Sequence, residues 1–197
     1  MSSPPAFPET RKATLRATAL AARDALSSEH RAAAARAIAG RGLPFEIPPG
    51  TIVAGYSPIR SEIDPVPLMR ELAAQGAQLA LPAIITGDQP LKFRAWSPGD
   101  RLRRGRLGIL EPSAEAKEVI PDILLVPLAA FDRSGHRIGY GAGHYDRTLE
   151  QLRKIKAVTA IGVAFAVQEV EAVPTLLHDA ALDYVLTEIQ VLDFRSS

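Results

Sequence analysis

Two stretches of this 197-residue sequence are apolar almost without interruption, Ile123 to Phe131 and Val158 to Val167. A strand that alternates apolar and polar residues buries one face, whereas a run that is apolar throughout must bury both. That is the habit of strands in a parallel sheet with helices on either side. Strand-like segments recur at Thr51 to Tyr56, Gln78 to Pro82, Leu91 to Trp96, Ile123 to Leu128, Val158 to Phe165 and Leu182 to Thr187. Helical segments fall between them: Asp64-Pro65 reads as a helix start stopped at Gly76, and Tyr145 to Lys154 as a further helix. The alternation predicts one α/β domain, three layers deep, with a mainly parallel sheet. Gln78 to Pro82 and Leu91 to Trp96 are expected to meet in a hairpin region around Gly87 and Asp88.

Ahead of the first strand, Thr10 to Arg41 is rich in Ala, Arg and Leu, with Leu15, Leu20 and Leu26 near helical spacing and Ser27 or Ser28 available as an N-cap. It reads as a helical hairpin, closed by the Gly- and Pro-punctuated stretch Gly40 to Gly50. MSSPPAFPET has neither the basic patch nor the apolar run of a secretory signal, and its three prolines suggest that residues 1–9 form a disordered tail on a domain of residues 10–197. Neither apolar run approaches the ~18 residues of a membrane span, and a cytoplasmic location with no membrane partner is expected.

Composition narrows the chemistry. The chain has no cysteine, which removes disulfide scaffolds, thiol nucleophiles and iron–sulfur or zinc-ribbon sites. A net charge of +1 lacks the basic footprint of a nucleic-acid binder. The charge is unevenly spread: residues 1–106 hold 15 Lys or Arg against 9 Asp or Glu, and residues 107–197 hold 8 against 13. Opposed halves of +6 and −5 suit an anion held together with a metal, although a plain salt-bridged interface is the more common reason for such a split.

The most informative segment is Phe131 to Leu149, FDRSGHRIGYGAGHYDRTL, which follows a buried strand and runs into a helix. Gly139, Gly141 and Gly143 remove Cβ atoms where backbone N–H groups could approach phosphate at the carboxyl end of a strand. A glycine-rich turn that merely packs a helix on a sheet has the same spacing. Two familiar phosphate motifs fail: G-x-G-x-x-G would need glycine where His144 stands, and no G-x-x-x-x-G-K-[ST] occurs.

Residues Pro121 to Leu149, PDILLVPLAAFDRSGHRIGYGAGHYDRTL, resemble the signature of the 5-formyltetrahydrofolate cyclo-ligase family. Lys12 to Arg16 (KATLR), Ser61 to Asp64 (SEID), Gly108 to Pro112 (GILEP) and the trio His178, Asp179 and Asp183 match further family segments in order. The resemblance implies a NagB/RpiA/CoA transferase-like α/β fold and an ATP- and Mg²⁺-dependent ligase acting on 5-formyltetrahydrofolate, polyglutamylated or not, as a monomer. It implies ATP contacts from Lys12, Arg16, Arg137, Gly139, Tyr140, Gly141, Ala142, Gly143, His144 and Tyr145. Arg137, Tyr145 and Asp146 would take catalytic roles, and Asp146 and Asp183 would hold the metal. The folate would meet Glu62, Ser57, Tyr140 and His144. The family's Gly-Gly-Gly-Tyr-Tyr-Asp pattern is here altered to Ala142 and His144.

Each assignment has a plain structural alternative. Lys12 and Arg16 could form a solvated helix face, Glu62 could complement the next helix N-terminus, Asp146 could cap its own helix, and Asp183 could form a salt bridge beside the last strand. Tyr56, Phe93, Trp96, Phe131, Tyr140 and Tyr145 could wall a flat ring or sit in the core. Arg101, Arg103, Arg104 and Arg106 could meet a folate glutamate tail or form a solvated loop. A non-catalytic nucleotide-binding module and a sugar-phosphate isomerase on a similar scaffold are the competing functions.

Overall fold

The computed structural model describes residues 8–83, 89–105, 108–176 and 179–195. Two helices open the chain, α1 (Pro8–Asp24) and α2 (Ser28–Arg41), and the Ser27 hydroxyl caps α2 by accepting the His30 N–H at 3.1 Å. There follow β1 (Ile52–Ala54), α3 (Val66–Ala74), β2 (Gln78–Ala83) and β3 (Lys92–Ala95). The short strands β4 (Arg103–Arg104) and β5 (Leu110–Glu111) form a ribbon of their own. Then come β6 (Glu118–Val119), β7 (Ile123–Pro127), a second ribbon of β8 (Ala130–Phe131) and β9 (Arg137–Ile138), and α4 (His144–Ile155). The chain ends with β10 (Thr159–Val163), a 3₁₀ turn (Ala166–Gln168), β11 (Tyr184–Leu186) and β12 (Val191–Asp193).

The main sheet has eight strands in the order β12-β11-β10-β7-β1-β2-β3-β6. Its centre is parallel from β11 to β2, and antiparallel strands close both edges. Strand β7 lies in the middle, with Ile123 opposite Val53 on one side and Thr159 on the other. Its side chains separate by parity, as a pleated strand requires. Ile123 and Leu125 pack with Ala35 and Ile38 of α2 and Leu68 and Leu72 of α3, while Leu124 and Val126 pack with Leu149 and Leu152 of α4. The uninterrupted apolar run is thus explained by helices on both faces, in three layers.

The expected strands are present with trimmed ends, and the helix after Asp64 starts where Asp64 Oδ1 accepts the Val66 N–H at 2.9 Å. Helix α1 already includes Pro8 and Glu9, so helix begins inside the expected tail, because proline is well suited to a first turn. Strands β2 and β3 pair antiparallel, while Gly87 and Asp88 of the expected hairpin lie outside the described residues. Arg103 and Arg104 form a strand where a loop was expected, both exposed, and Arg106 lies outside the described residues. Among the described residues no helix is long and apolar enough to cross a membrane.

Leu124 and Leu125 are wholly buried on opposite faces of β7. Leu124→Ala and Leu125→Ala are each expected to cost about 2–5 kcal/mol, measured by urea denaturation. Two similar losses test whether both helix layers carry the fold.

Candidate active site

At the carboxyl ends of β1, β2 and β7 the sheet opens into a cavity of about 610 Å³. Tyr56 and Ser57 enter it just past β1, Pro82 near the end of β2 and Pro127 at the end of β7. The loop from β9 to α4 forms one wall. Gly141 and Gly143 have φ of +98° and +66°, a left-handed backbone that side chains resist, so two sharp reversals are built in. A Cβ placed on Gly139 meets no atom within 4 Å. Gly143 stands at the N-cap of α4 without a capping side chain, which leaves first-turn N–H groups of the helix for a ligand.

Helix α1 adds Lys12 and Arg16 to the lining beside that loop. Arg16 Nε donates to the Gly139 carbonyl at 2.7 Å, and the Lys12 ammonium donates to Asp179. Arg16 therefore ties α1 to the glycine loop and Lys12 ties it to the segment ahead of β11, instead of forming a solvated face. Arg137, 7 % exposed, bonds the Ala180 carbonyl and Asp146 Oδ1, the latter at 2.7 Å. Burial draws its pKa down and the Asp146 carboxylate opposes that. Asp146 does not cap α4: its Oδ1 also accepts the Ala180 N–H at 3.1 Å, so it pins the segment near Asp179 to the helix. Arg147 donates to the Ala142 carbonyl at 2.6 Å.

Glu62 faces this cavity, and it is Asp64, not Glu62, that accepts the N–H of Val66 at the start of α3. Its Oε2 accepts the Ile59 N–H at 2.8 Å, and burial pushes its pKa above the ordinary value while that hydrogen bond and one from Tyr140 restrain the shift. Tyr56, Tyr140 and Tyr145 surround it; burial, reinforced by the negative charge of Glu62, raises all three phenols, so they stay protonated. Phe93, Trp96 and Phe131 belong to the core or its edge and not to the cavity. Ser57 borders the cavity and donates to the Leu110 carbonyl at 2.5 Å, joining the β4–β5 ribbon to the loop after β1.

Lys12, Arg16, Ser57, Glu62, Arg137, the run Gly139 to Tyr145 and Asp146 all line the one cavity. Asp183 does not. It lies at the amino end of β11, where Oδ2 accepts the Ala160 N–H at 2.7 Å and pairs with Arg153 at 3.1 Å. The expected pairing of Asp146 and Asp183 on one metal is thereby corrected to the structural alternative for Asp183. His178 lies outside the described residues. Sequence reasoning missed Arg147, Asp179 as the partner of Lys12, and Arg23; no local pattern distinguishes these from ordinary surface charges.

A parallel sheet with a cation- and glycine-walled cleft at its strand ends defines an α/β protein of the ligand-binding kind that opens at strand carboxyl ends. The chain belongs to the 5-formyltetrahydrofolate cyclo-ligase family, whose model matches residues 8–188. It is 34% identical over 149 residues to the 5-formyltetrahydrofolate cyclo-ligase of Escherichia coli, covering 72% of this chain and 80% of that one. A similar match, 35% over 147 residues covering 70% and 74%, is to the protein of that name in Mycolicibacterium smegmatis. Among solved structures it is similar to the 5,10-methenyltetrahydrofolate synthetase of Aquifex aeolicus, with TM-score 0.76, 32% identity and 94% of each chain covered.

Two substitutions test the electrostatics. Asp146→Asn keeps an acceptor for Ala180 but removes the charge facing a buried guanidinium, and is expected to cost about 1.5–3 kcal/mol in thermal or urea unfolding. Glu62→Gln should act in the opposite direction. A carboxyl whose pKa is raised by folding destabilises the folded chain above its unfolded pKa and costs nothing below it, where both states are protonated. Glu62→Gln is expected to stabilise at pH 7 by about 0.5–2 kcal/mol, the gain vanishing in melts below about pH 4.

Proposed function

We propose that the cavity is where this chain closes 5-formyltetrahydrofolate to 5,10-methenyltetrahydrofolate, with ATP converted to ADP and phosphate. The observation that carries the reading is the convergence of Lys12, Arg16, the glycine loop and the open N-terminus of α4 on one cavity that Glu62 also faces. Cations and backbone N–H groups on one side suit a polyphosphate, and a carboxylate among tyrosines on the other suits a flat, N–H-bearing ring.

The formyl group is an amide, and its oxygen leaves poorly. Its oxygen attacks the γ-phosphorus of ATP and ADP departs, so the formyl carbon becomes an iminium-like centre bearing a phosphate ester. N10 attacks that carbon, loses its proton, and the C–O bond breaks to release phosphate, leaving the methenyl bridge. Such a transfer needs positioning and charge neutralisation more than a protein nucleophile. Lys12 and Arg16 would hold phosphate oxygens, the first turn of α4 would add N–H donors, and Glu62 would accept from the pterin.

The side chains fit Mg²⁺ arriving on the triphosphate. Among the described residues no group of three or more His, Cys, Asp or Glu could hold a metal, whereas Asp146 places one carboxylate on the cavity, with its bonds to Arg137 and Ala180 made through Oδ1. One carboxylate plus substrate phosphates is a usual set for this cation, which would supply neutralisation of phosphate charge.

Incubation with 5-formyltetrahydrofolate, ATP and Mg²⁺ should produce the methenyl chromophore, and a stable, correctly folded protein that produces none would sink the proposal. Lys12→Ala and Arg16→Ala are each expected to raise the KM for ATP roughly tenfold or more, from the loss of a charge-assisted hydrogen bond, and to change the folate KM by less than about twofold. An unchanged ATP requirement in both would return them to a purely structural role.

A further inference from the structure

Arg23, in the last turn of α1, is 1 % exposed. A guanidinium taken out of water is costly unless its donors are met, and usually a carboxylate meets them. Here the direct partners are neutral. Nε donates to Ser61 Oγ at 2.9 Å, and Nη1 donates to the hydroxyl of Tyr140, over whose ring the guanidinium also lies at 5.7 Å. The nearest carboxylate, Asp24, stays 4.0 Å from Nε and is engaged by the Ser61 hydroxyl. A phenol has one hydrogen to give, so when its oxygen accepts from Arg23 that hydrogen is directed elsewhere. Glu62, the residue next to Ser61, lines the same cavity as Tyr140, and its negative charge acts on the Tyr140 phenol.

Lys12, Arg16 and Arg23 are spaced four and eleven residues along one helix, which places all three within about 40° of one line. They reach Asp179, the Gly139 carbonyl and the Tyr140 hydroxyl respectively. The first two border the cavity; Arg23 does not, and touches it only through Tyr140.

We infer that Arg23 is a positioning residue: it holds the Tyr140 hydroxyl as an acceptor, so that Tyr140 donates to Glu62 and fixes the carboxylate that faces the cavity. A merely structural role would be to fasten α1 to Ser61. The two roles separate because Ser61 and Tyr140 are reached through different nitrogens. The kinetic consequence rests on the proposed folate site, whereas the geometric one does not.

The experiment uses the full chain carrying Arg23→Lys, Tyr140→Phe, or both. Lysine keeps the charge but offers one compact donor head where the guanidinium bonds two separate oxygens in a fixed fork. In the ligand-free protein, carboxyl-carbon NMR should show Glu62 titrating at higher pH in each single variant than in the parent, and no higher in the double variant than in Tyr140→Phe. With substrate, each single variant should raise the KM for 5-formyltetrahydrofolate about fivefold or more and that for ATP by less than about twofold. An unmoved Glu62 titration in Arg23→Lys, or additive shifts in the double variant, would overturn the inference. If Arg23→Lys does not fold, Arg23→Gln takes its place; it also removes the direct attraction of the Arg23 charge for Glu62, so there the KM for 5-formyltetrahydrofolate decides, a double variant no worse than Tyr140→Phe supporting the inference and independent, multiplying effects overturning it. A parent protein with no methenyl-forming activity would refute the proposed function and leave the Glu62 titration to decide the role of Arg23.

Discussion

The five central strands of the sheet are buried on both faces, and this confines every polar event to their ends. Helices α2 and α3 cover one side and α4 the other, so a charged side chain meets water or a ligand only where a strand stops. At the carboxyl ends the chain leaves as loops, and the cavity forms there from Tyr56, Ser57, Pro82 and Pro127. The glycine loop follows from the same constraint. After β7 the backbone makes a small ribbon before α4 returns over the sheet, and Gly141 and Gly143 provide the left-handed steps that aim the start of α4 into the cavity.

Helix α1 lies outside the three layers, against the β8 strand and the 3₁₀ turn. Its apolar contact is small, centred on Ala19 and Leu15 with Ala130, Ile138 and Val173. The polar ties made by Lys12, Arg16 and Arg23 therefore carry an unusual share of its placement, and all three end on or beside the cavity wall. The split of net charge between the two parts of the sequence has a physical reading here. Basic residues of α1 meet an acidic residue and a backbone carbonyl supplied by the later part of the chain, Lys12 with Asp179 and Arg16 with Gly139. On the same cavity, Glu62 is held among buried phenols at the expense of stability, the trade that the proposed binding role would call for.

Much of the architecture was legible in the sequence because it depends on local pattern. Two apolar runs, the Asp64-Pro65 start, Gly76 and the alternation of strands with helices suffice for a parallel three-layer sheet. The two-residue strands β4, β5, β6, β8 and β9 were not legible, since pairings of so few residues are decided by which segments the fold brings together. The site divides in the same way. The glycine loop is contiguous and shows itself, whereas Arg23, Arg147 and Asp179 gain meaning only from partners 117, 5 and 167 residues away.

Asp183 shows why residue type and order are not enough. Asp122 and Asp183 each directly precede a central strand, β7 and β11. Each accepts a backbone N–H from the neighbouring strand, Ile52 at 2.8 Å and Ala160 at 2.7 Å, and each is paired with a cation from the end of α4 or just past it: Lys156 at 2.5 Å and Arg153 at 3.1 Å. The same device is thus used twice at the amino edge of the sheet, where strand N–H groups lack partners and a carboxylate can satisfy them. Asp146 stands at the opposite edge, where a helix N-terminus and Arg137 gather positive charge. A parallel sheet has chemically unlike ends, and which end an aspartate occupies decides whether it fastens neighbouring strands, as Asp122 and Asp183 do, or borders the cavity, as Asp146 does.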